Sequence, residues 1–469
     1  MLLLSFFTKG LAHSSYMLAG EDHAAVIDPD RDVSIYLDAA RENDLTITQI
    51  LETHLHADFV SGHLELQSLT GAEIYGPKKA GFSFPHQALS EGDSFALNDL
   101  MIRVLETPGH TPEHISYTVT DPVRSRQPVA VFCGDTLFVG DVGRPDIFPD
   151  QAYGLAGKLY DSLWLKLMEL PDFCEIYPAH GAGSLCGRAI GAKRSSTIGY
   201  ERHCNYALQI KDRQRFIETM TKGMPSVPDH FTRLSAVNAK GPSLLHELPQ
   251  SFPLRPADFE RKAACDETVI LDVRPFEDYG GMHVPGSLYI DLRSNFPTFA
   301  GWMLPPEKDL LLVAETPRQR LEAIRWLRRV GLDRVTGYLE GEMLEWAMSG
   351  LPISHVAQLS PLELDDMIRR NEPIKVLDVR ARREFSDFHI DGSINIPVPE
   401  LRTRYRELDP QQAYALICGS GQRSSLGASV LKQKGLHHLF NVAGGIMGYQ
   451  AAMKLAPCKL CELPHGPRI

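Results

Sequence analysis

Thr53-His54-Leu55-His56-Ala57-Asp58-Phe59 follows the apolar run 47–51 and places two imidazoles and a carboxylate within five residues. Nitrogen and oxygen donors at that density are what a metal-binding loop requires. Working outward, three further candidate ligands stand just after strand-like runs. His110 lies in Thr107-Pro108-Gly109-His110-Thr111-Pro112, a turn-rich break after residues 101–105. Asp135 lies in Phe132-Cys133-Gly134-Asp135-Thr136, closing the run 128–132, and His180 lies in Tyr177-Pro178-Ala179-His180-Gly181. Side chains at strand ends from distant parts of a chain can converge on one rim.

The first loop resembles H-x-H-x-D-H of the metallo-β-lactamase fold, in which the first two His help hold one metal and the Asp and final His hold a second. Phe59 stands at that final position. An apolar ring cannot ligate, so the resemblance implies a single-metal site. Over the first half of the chain the pattern is similar to the mononuclear iron persulfide dioxygenases. That branch implies that His54, His110 and Asp135 hold one Fe(II). Two His and one carboxylate form the facial triad that leaves positions open for O₂ and substrate. Zinc accepts the same donors, so ligand type alone leaves the metal open, and the branch resemblance favours iron.

Gly140-Asp141-Val142-Gly143-Arg144-Pro145-Asp146 resembles the G-R-x-D element of the same branch. Arg144 is expected either to pair with Asp58 or Asp146 and steady the loop carrying Asp135, or to form an exposed ion pair on a surface turn. His56 and His180 are expected beside the metal without bonding to it, and Tyr177 to hydrogen-bond a carrier thiol.

A second signal lies where the apolar run 414–417 enters Cys418-Gly419-Ser420-Gly421-Gln422-Arg423-Ser424. This resembles the active-site loop of rhodanese sulfurtransferases. A cysteine-dependent phosphatase loop has similar spacing, but the upstream element matches rhodanese as well: Leu377-Asp378-Val379-Arg380, then Phe385, His389 and Gly392-Ser393-Ile394-Asn395. Backbone N–H groups curling toward the sulfur, the positive end of a following helix and Arg423 are expected to favour thiolate over thiol. The element occurs twice, since Leu271-Asp272-Val273-Arg274, His283 and Gly286-Ser287 repeat it upstream. In that first copy Ala314 stands where Cys418 stands in the second, and Pro317 and Arg318 replace the glycine-rich loop. The first copy is therefore expected to be catalytically silent.

The chain has 469 residues and 43% hydrophobic content, which suits three packed domains. The expected fold class is α/β: an αββα metallo-β-lactamase sandwich over residues 1–240, followed by two doubly wound α/β rhodanese-like domains, a silent one over 245–355 and an active one over 358–469. Prolines 225, 228, 242, 249 and 253 mark the boundary region, and the segment 197–221 reads as a helix closing the first domain. A formal charge of −11 argues against nucleic acid or an anionic membrane as partner. The apolar start, residues 1–7, is too short for a membrane span and lacks a basic leader, so it reads as a first strand and the expected location is cytoplasmic. Eight scattered cysteines do not form a disulfide framework. Cys204 reads as a packed helical cysteine or a sulfur acceptor, and Cys458-Lys459-Leu460-Cys461 with His465 as a weak metal or resolving motif beside a floppy-tail reading. Arg188, Lys193 and Arg194 are either a solvated loop or a site for the carboxylates or phosphates of a thiol carrier.

Together the two halves imply a fused persulfide dioxygenase and sulfurtransferase of sulfide detoxification. A glutathione or coenzyme A type persulfide would be oxidised with O₂ to sulfite at one Fe(II), and Cys418 would handle sulfane sulfur, either loading the dioxygenase substrate or forming thiosulfate from sulfite. A dimer is common in that branch. The alternative is a zinc-dependent glyoxalase II-type thioester hydrolase with a metal-activated water, against which Phe59 counts. A non-enzymatic binding protein is the third reading, and it has to account for an intact triad and an intact Cys418 loop.

Overall fold

The strand His13–Ala19 is buried along its whole length, and its alternation shows how the first half is layered. Tyr16 and Leu18 point into one apolar cluster, with Ile102, Val104, Tyr117 and Phe132 opposite. Met17 points into another, with Tyr36, Ala40 and Leu66. Successive side chains of a strand face opposite sides, so this strand has a second sheet on one side and helices on the other. In this computed structural model, which describes residues 1–224 and 227–454, the chain divides into two compact units. Among the described residues, one holds Met1–Glu247 with Arg328–Gly331, and the other holds Leu248–Leu327 and Leu332 to Lys454.

The first unit contains two six-stranded sheets. One runs in chain order through Leu2–Thr8, His13–Ala19, His23–Ile27, Thr46–Leu51, Glu73–Pro77 and Gln87–Leu89. The other is ordered Ser196–Thr197, Glu175–Pro178, Ala130–Gly134, Ile115–Thr120, Leu100–Glu106 and Ser94–Leu97. Helices Ser34–Glu42 and His63–Thr70 cover the first sheet, and Ala152–Leu165 and Arg213–Thr221 cover the second through Leu159, Leu163, Phe216 and Ile217. The result is an αββα sandwich.

Two local expectations fail. The segment 197–221 is not one helix: Ile198–Cys204 and Arg213–Thr221 are separated by a short 3₁₀ turn at Ala207–Gln209, after Asn205 adopts extended backbone and turns its side chain to the carbonyl of Asp141 and the carboxylate of Glu201. Helix His230–Lys240 lies in the region read as a proline-rich boundary, with Phe231, Leu234 and Asn238 on its buried side. Cys458, Cys461 and His465 lie outside the described residues.

The second unit contains two five-stranded sheets of identical order. The first is Phe252–Leu254, Val335–Leu339, Asp309–Val313, Thr268–Asp272, Leu288–Tyr289; the second is Ala357–Leu359, Leu439–Val442, Ala413–Ile417, Ile374–Asp378, Ile394–Asn395. All pairings are parallel, which requires crossover connections. Helices Pro317–Arg329 and Gln422–Gln433 follow equivalent central strands in the two repeats. Among the described residues, no helix is long and apolar enough to cross a membrane.

Candidate metal centre and sulfur-transfer loop

Four strand ends build the first site. His54 follows Thr46–Leu51, His110 follows Leu100–Glu106, Asp135 follows Ala130–Gly134 and His180 follows Glu175–Pro178. Gly134 sits at φ +47°, and a Cβ there would lie 2.4 Å from His114 Nε2 and 2.6 Å from Thr53 Oγ1, so the turn delivering Asp135 requires glycine. The structure brings His54, His110 and Asp135 together, with one donor atom of each within 4.8 Å of the others and all three residues buried. His110 Nε2 is 3.2 Å and His54 Nε2 3.9 Å from Asp135 Oδ2.

Hydrogen bonds fix which ring atoms face the centre. His110 Nδ1 donates to the carbonyl of Arg144 at 2.9 Å. Thr53 Oγ1 donates to Asp28 Oδ2 at 2.9 Å, so it accepts from His54 Nδ1 at 2.8 Å. Both rings then turn an unprotonated Nε2 inward, and His110 Nε2 is buried with no hydrogen-bond partner. Burial, with His56 beside His54, holds both imidazoles below their ordinary range and therefore neutral. Burial also opposes charge on Asp135, yet His180 and His110 outweigh it and hold the carboxyl well below the usual carboxylate range. Two neutral imidazoles and an ionised carboxylate fit a divalent transition metal.

His180 lies between two carboxylates, its Nδ1 2.8 Å from Asp135 Oδ1 and its Nε2 2.9 Å from Asp58 Oδ2. Burial pushes its pKa down, but Asp135 and Asp58 hold it well above the ordinary imidazole range. His56 belongs to a neighbouring buried cluster, with Nε2 3.1 Å from Asp28 and 3.5 Å from Glu52. Arg144 pairs with Asp146 through two hydrogen bonds of 2.7 and 2.8 Å and is fully buried, so it is not an exposed ion pair, and Asp58 serves His180 instead. Tyr177 is not brought to the centre. Its hydroxyl donates to Glu175 and its ring stacks on Phe132. Arg188 is held by the Thr219 carbonyl, Lys193 lies over Tyr200, and Arg194 lies 4.0 Å over Phe7. Cys204 is exposed rather than packed.

Four contributors escaped the sequence reading. His114 stacks on His54, and its Nε2 accepts from the backbone N–H of Asp135 at 2.9 Å; burial pushes its pKa down to about 3. Asn238 donates to the carbonyls of His56 and Phe59 and accepts from Ser61 N–H. Cys186 lies with Asp58 and His180, and His13 packs on Phe59. Of these, His114 alone had a local signal, four residues after His110.

In the second site Cys418 ends strand Ala413–Ile417 and is buried. Its Sγ accepts from Gly421 N–H at 3.1 Å and Ser424 Oγ at 3.3 Å. Gly421 has φ +113°, and a Cβ there would press 3.1 Å from Phe276 of the first repeat. Arg423 makes a two-pronged pair with Glu384 at 2.7 and 2.9 Å. A carboxylate that the sequence reading did not include therefore balances its charge. In the first repeat Ala314 follows strand Asp309–Val313, and no sulfur stands there.

A metal-binding sandwich joined to a duplicated parallel α/β unit with one cysteine loop defines a class of two-centre protein. Comparison with known families narrows it. Residues 8–180 match the family model described as metallo-beta-lactamase superfamily, and residues 255–349 and 360–452 match the rhodanese-like domain. A metallo-beta-lactamase structure from Staphylococcus aureus is 32% identical and is covered over 98% of its length and 72% of this chain, with a TM-score of 0.66. The chain belongs to the metallo-β-lactamase superfamily and carries two rhodanese-like domains. The hydroxyacylglutathione hydrolase of Rhodospirillum rubrum is 39% identical over 158 residues, 33% of this chain, and the match spans 56% of that enzyme. The ETHE1 structure from Myxococcus xanthus is 29% identical, covering 51% of this chain and 98% of that one, with a TM-score of 0.45.

Proposed function

We propose that this protein oxidises low-molecular-weight thiol persulfides with O₂ to sulfite at a single Fe(II) held by His54, His110 and Asp135, and that Cys418 transfers sulfane sulfur, in sulfide detoxification. The observation that carries the reading is the buried two-His, one-carboxylate cluster beside an apolar Phe59. Fe(II) on such a set supplies oxygen activation. Around it, the carbonyl of Arg144 and Thr53 Oγ1 orient the two imidazoles, and His180 fixes the free oxygen of Asp135. At Cys418, Gly421 N–H and Ser424 Oγ both point at the sulfur that would accept a sulfane sulfur.

The second reading is zinc-dependent thioester hydrolysis, favoured by the match to hydroxyacylglutathione hydrolase. Oxygen uptake separates the two. Protein loaded anaerobically with Fe(II) is expected to consume O₂ and release sulfite on addition of glutathione persulfide or coenzyme A persulfide, and zinc-loaded protein is expected not to. Absence of uptake with both persulfides, together with hydrolysis of a hydroxyacylglutathione by the zinc form, would transfer the assignment to the hydrolase.

A further inference from the structure

His13 opens the strand His13–Ala19 and bridges to His180 on the neighbouring chain segment. Hydrogen bonds from Ser14 N–H to the Ala179 carbonyl and from Gly181 N–H to the Ala12 carbonyl fix that placement from both sides. The ring is fully buried, with its centroid 4.1 Å from Phe59, 5.6 Å from His180 and 5.9 Å from His56. It therefore stands against the residues that flank the triad.

Neither ring nitrogen of His13 has a hydrogen-bond partner in the protein. A buried donor or acceptor without a partner is costly, and native interiors rarely tolerate one. Packing alone would be met by an apolar ring, as Phe59 shows one position away in space. Burial, with His180 and His56 close by, holds His13 well below the ordinary imidazole range, so the neutral ring offers one N–H and one lone pair. The ring of Phe59 packs against His13, and the imidazoles of His180 and His56 lie on its other sides. Such a place suits a soft, weakly hydrated anion better than a strongly hydrated one.

We infer that His13 is a positioning residue for the sulfur end of the substrate, donating its ring N–H to the outer sulfur of the persulfide while Phe59 packs against it. This rests on the persulfide reading above and adds the group that distinguishes a persulfide from the parent thiol. Glutathione, which lacks the outer sulfur, has nothing to offer His13.

The test is anaerobic calorimetric titration of the Fe(II)-loaded full chain with glutathione persulfide and, separately, with glutathione. Without O₂ no turnover intervenes. His13→Phe is expected to weaken persulfide binding about tenfold, to leave glutathione binding within about twofold, and to keep its iron; His13→Gln, which retains an N–H donor, is expected to recover most of the loss. Equal persulfide affinity in wild type and His13→Phe would overturn the inference. So would loss of iron from both variants, which would make His13 a support of the metal shell. Wild-type protein that binds no persulfide but hydrolyses a thioester would remove the persulfide reading itself, and the role of His13 with it.

Discussion

Asn238→Leu tests how the metal loop is held. Asn238 is 2% exposed, its Nδ2 donates to the carbonyls of His56 and Phe59 at 2.8 Å each, and its Oδ1 accepts from Ser61 N–H at 2.9 Å. Leucine keeps the volume and removes all three bonds. With each lost bond and stranded partner together costing about 1–2 kcal/mol, the sum is about 4 kcal/mol. For a unit of this size, a melting shift of about 2–4 °C per kcal/mol gives about 8–16 °C. Differential scanning calorimetry of the metal-loaded full chain reads it, the relevant transition being the one that also shifts when metal is removed. A shift under about 3 °C with metal content unchanged would mean that the loop is held by other contacts, and the reasoning from Asn238 would be wrong.

Cys418→Ser is expected to abolish sulfur transfer to an acceptor thiol while leaving persulfide-dependent O₂ uptake within about twofold of wild type, since each chemistry draws on its own donor set. Should O₂ uptake stop as well, the two centres are not independent. Glu384→Gln leaves Arg423 without its two-pronged partner and is expected to slow transfer about tenfold, read as a lower rate of Cys418 persulfide formation, with O₂ uptake again unaffected. His283 is pushed down to about 4 by burial, against an unfolded value of about 6.5. Between those values the unfolded chain binds a proton that the folded chain does not, so this stabilisation is present above about pH 6.5 and is lost as pH falls toward 4, amounting to about 3 kcal/mol at most. Urea midpoints of the second unit measured from pH 7 to 4.5 are expected to fall less steeply in His283→Gln than in wild type, and parallel slopes would refute the assignment.

The candidate metal ligands were legible because each belongs to a short local pattern at the end of a strand, and strands end where turn residues cluster. The groups that orient those ligands were not. Asn238 reaches His56 across 182 positions, and its helix was hidden between prolines whose spacing reads as a linker. His13 meets His180 through a strand bridge that no local spacing encodes. Glu384 lies 39 residues from Arg423 and looks like an ordinary helix carboxylate. Tyr177 failed in the opposite direction: its place next to a motif suggested chemistry, but strand alternation sends its ring toward the core edge and its hydroxyl to Glu175.

The two repeats share a scaffold, and the second carries the cysteine loop. Asp272–Arg274 and Asp378–Arg380 form the same buried pair, each arginine also donating to a carbonyl, that of Met282 or Phe388, eight residues on. His283 and His389 each bond the carbonyl four residues back and stack on its ring. Breaking a buried ion pair by removing one partner costs about 3–5 kcal/mol, so the motif holds each repeat together with or without a cysteine loop. The sulfur site lacks that protection. Counting from Cys418, Gly421 and Ser424 supply its two donors, while counting equally from Ala314 reaches Pro317, which has no N–H, and Arg320, which lies over Tyr338. Restoring the sulfur alone is therefore expected to restore nothing: Ala314→Cys in a Cys418→Ser background should transfer sulfur at less than about one hundredth of the wild-type rate, because an unsupported thiol remains mostly protonated at neutral pH. Recovery above about a tenth would show that the backbone donors of the loop are dispensable, and the account of Cys418 given by its two hydrogen bonds would fall.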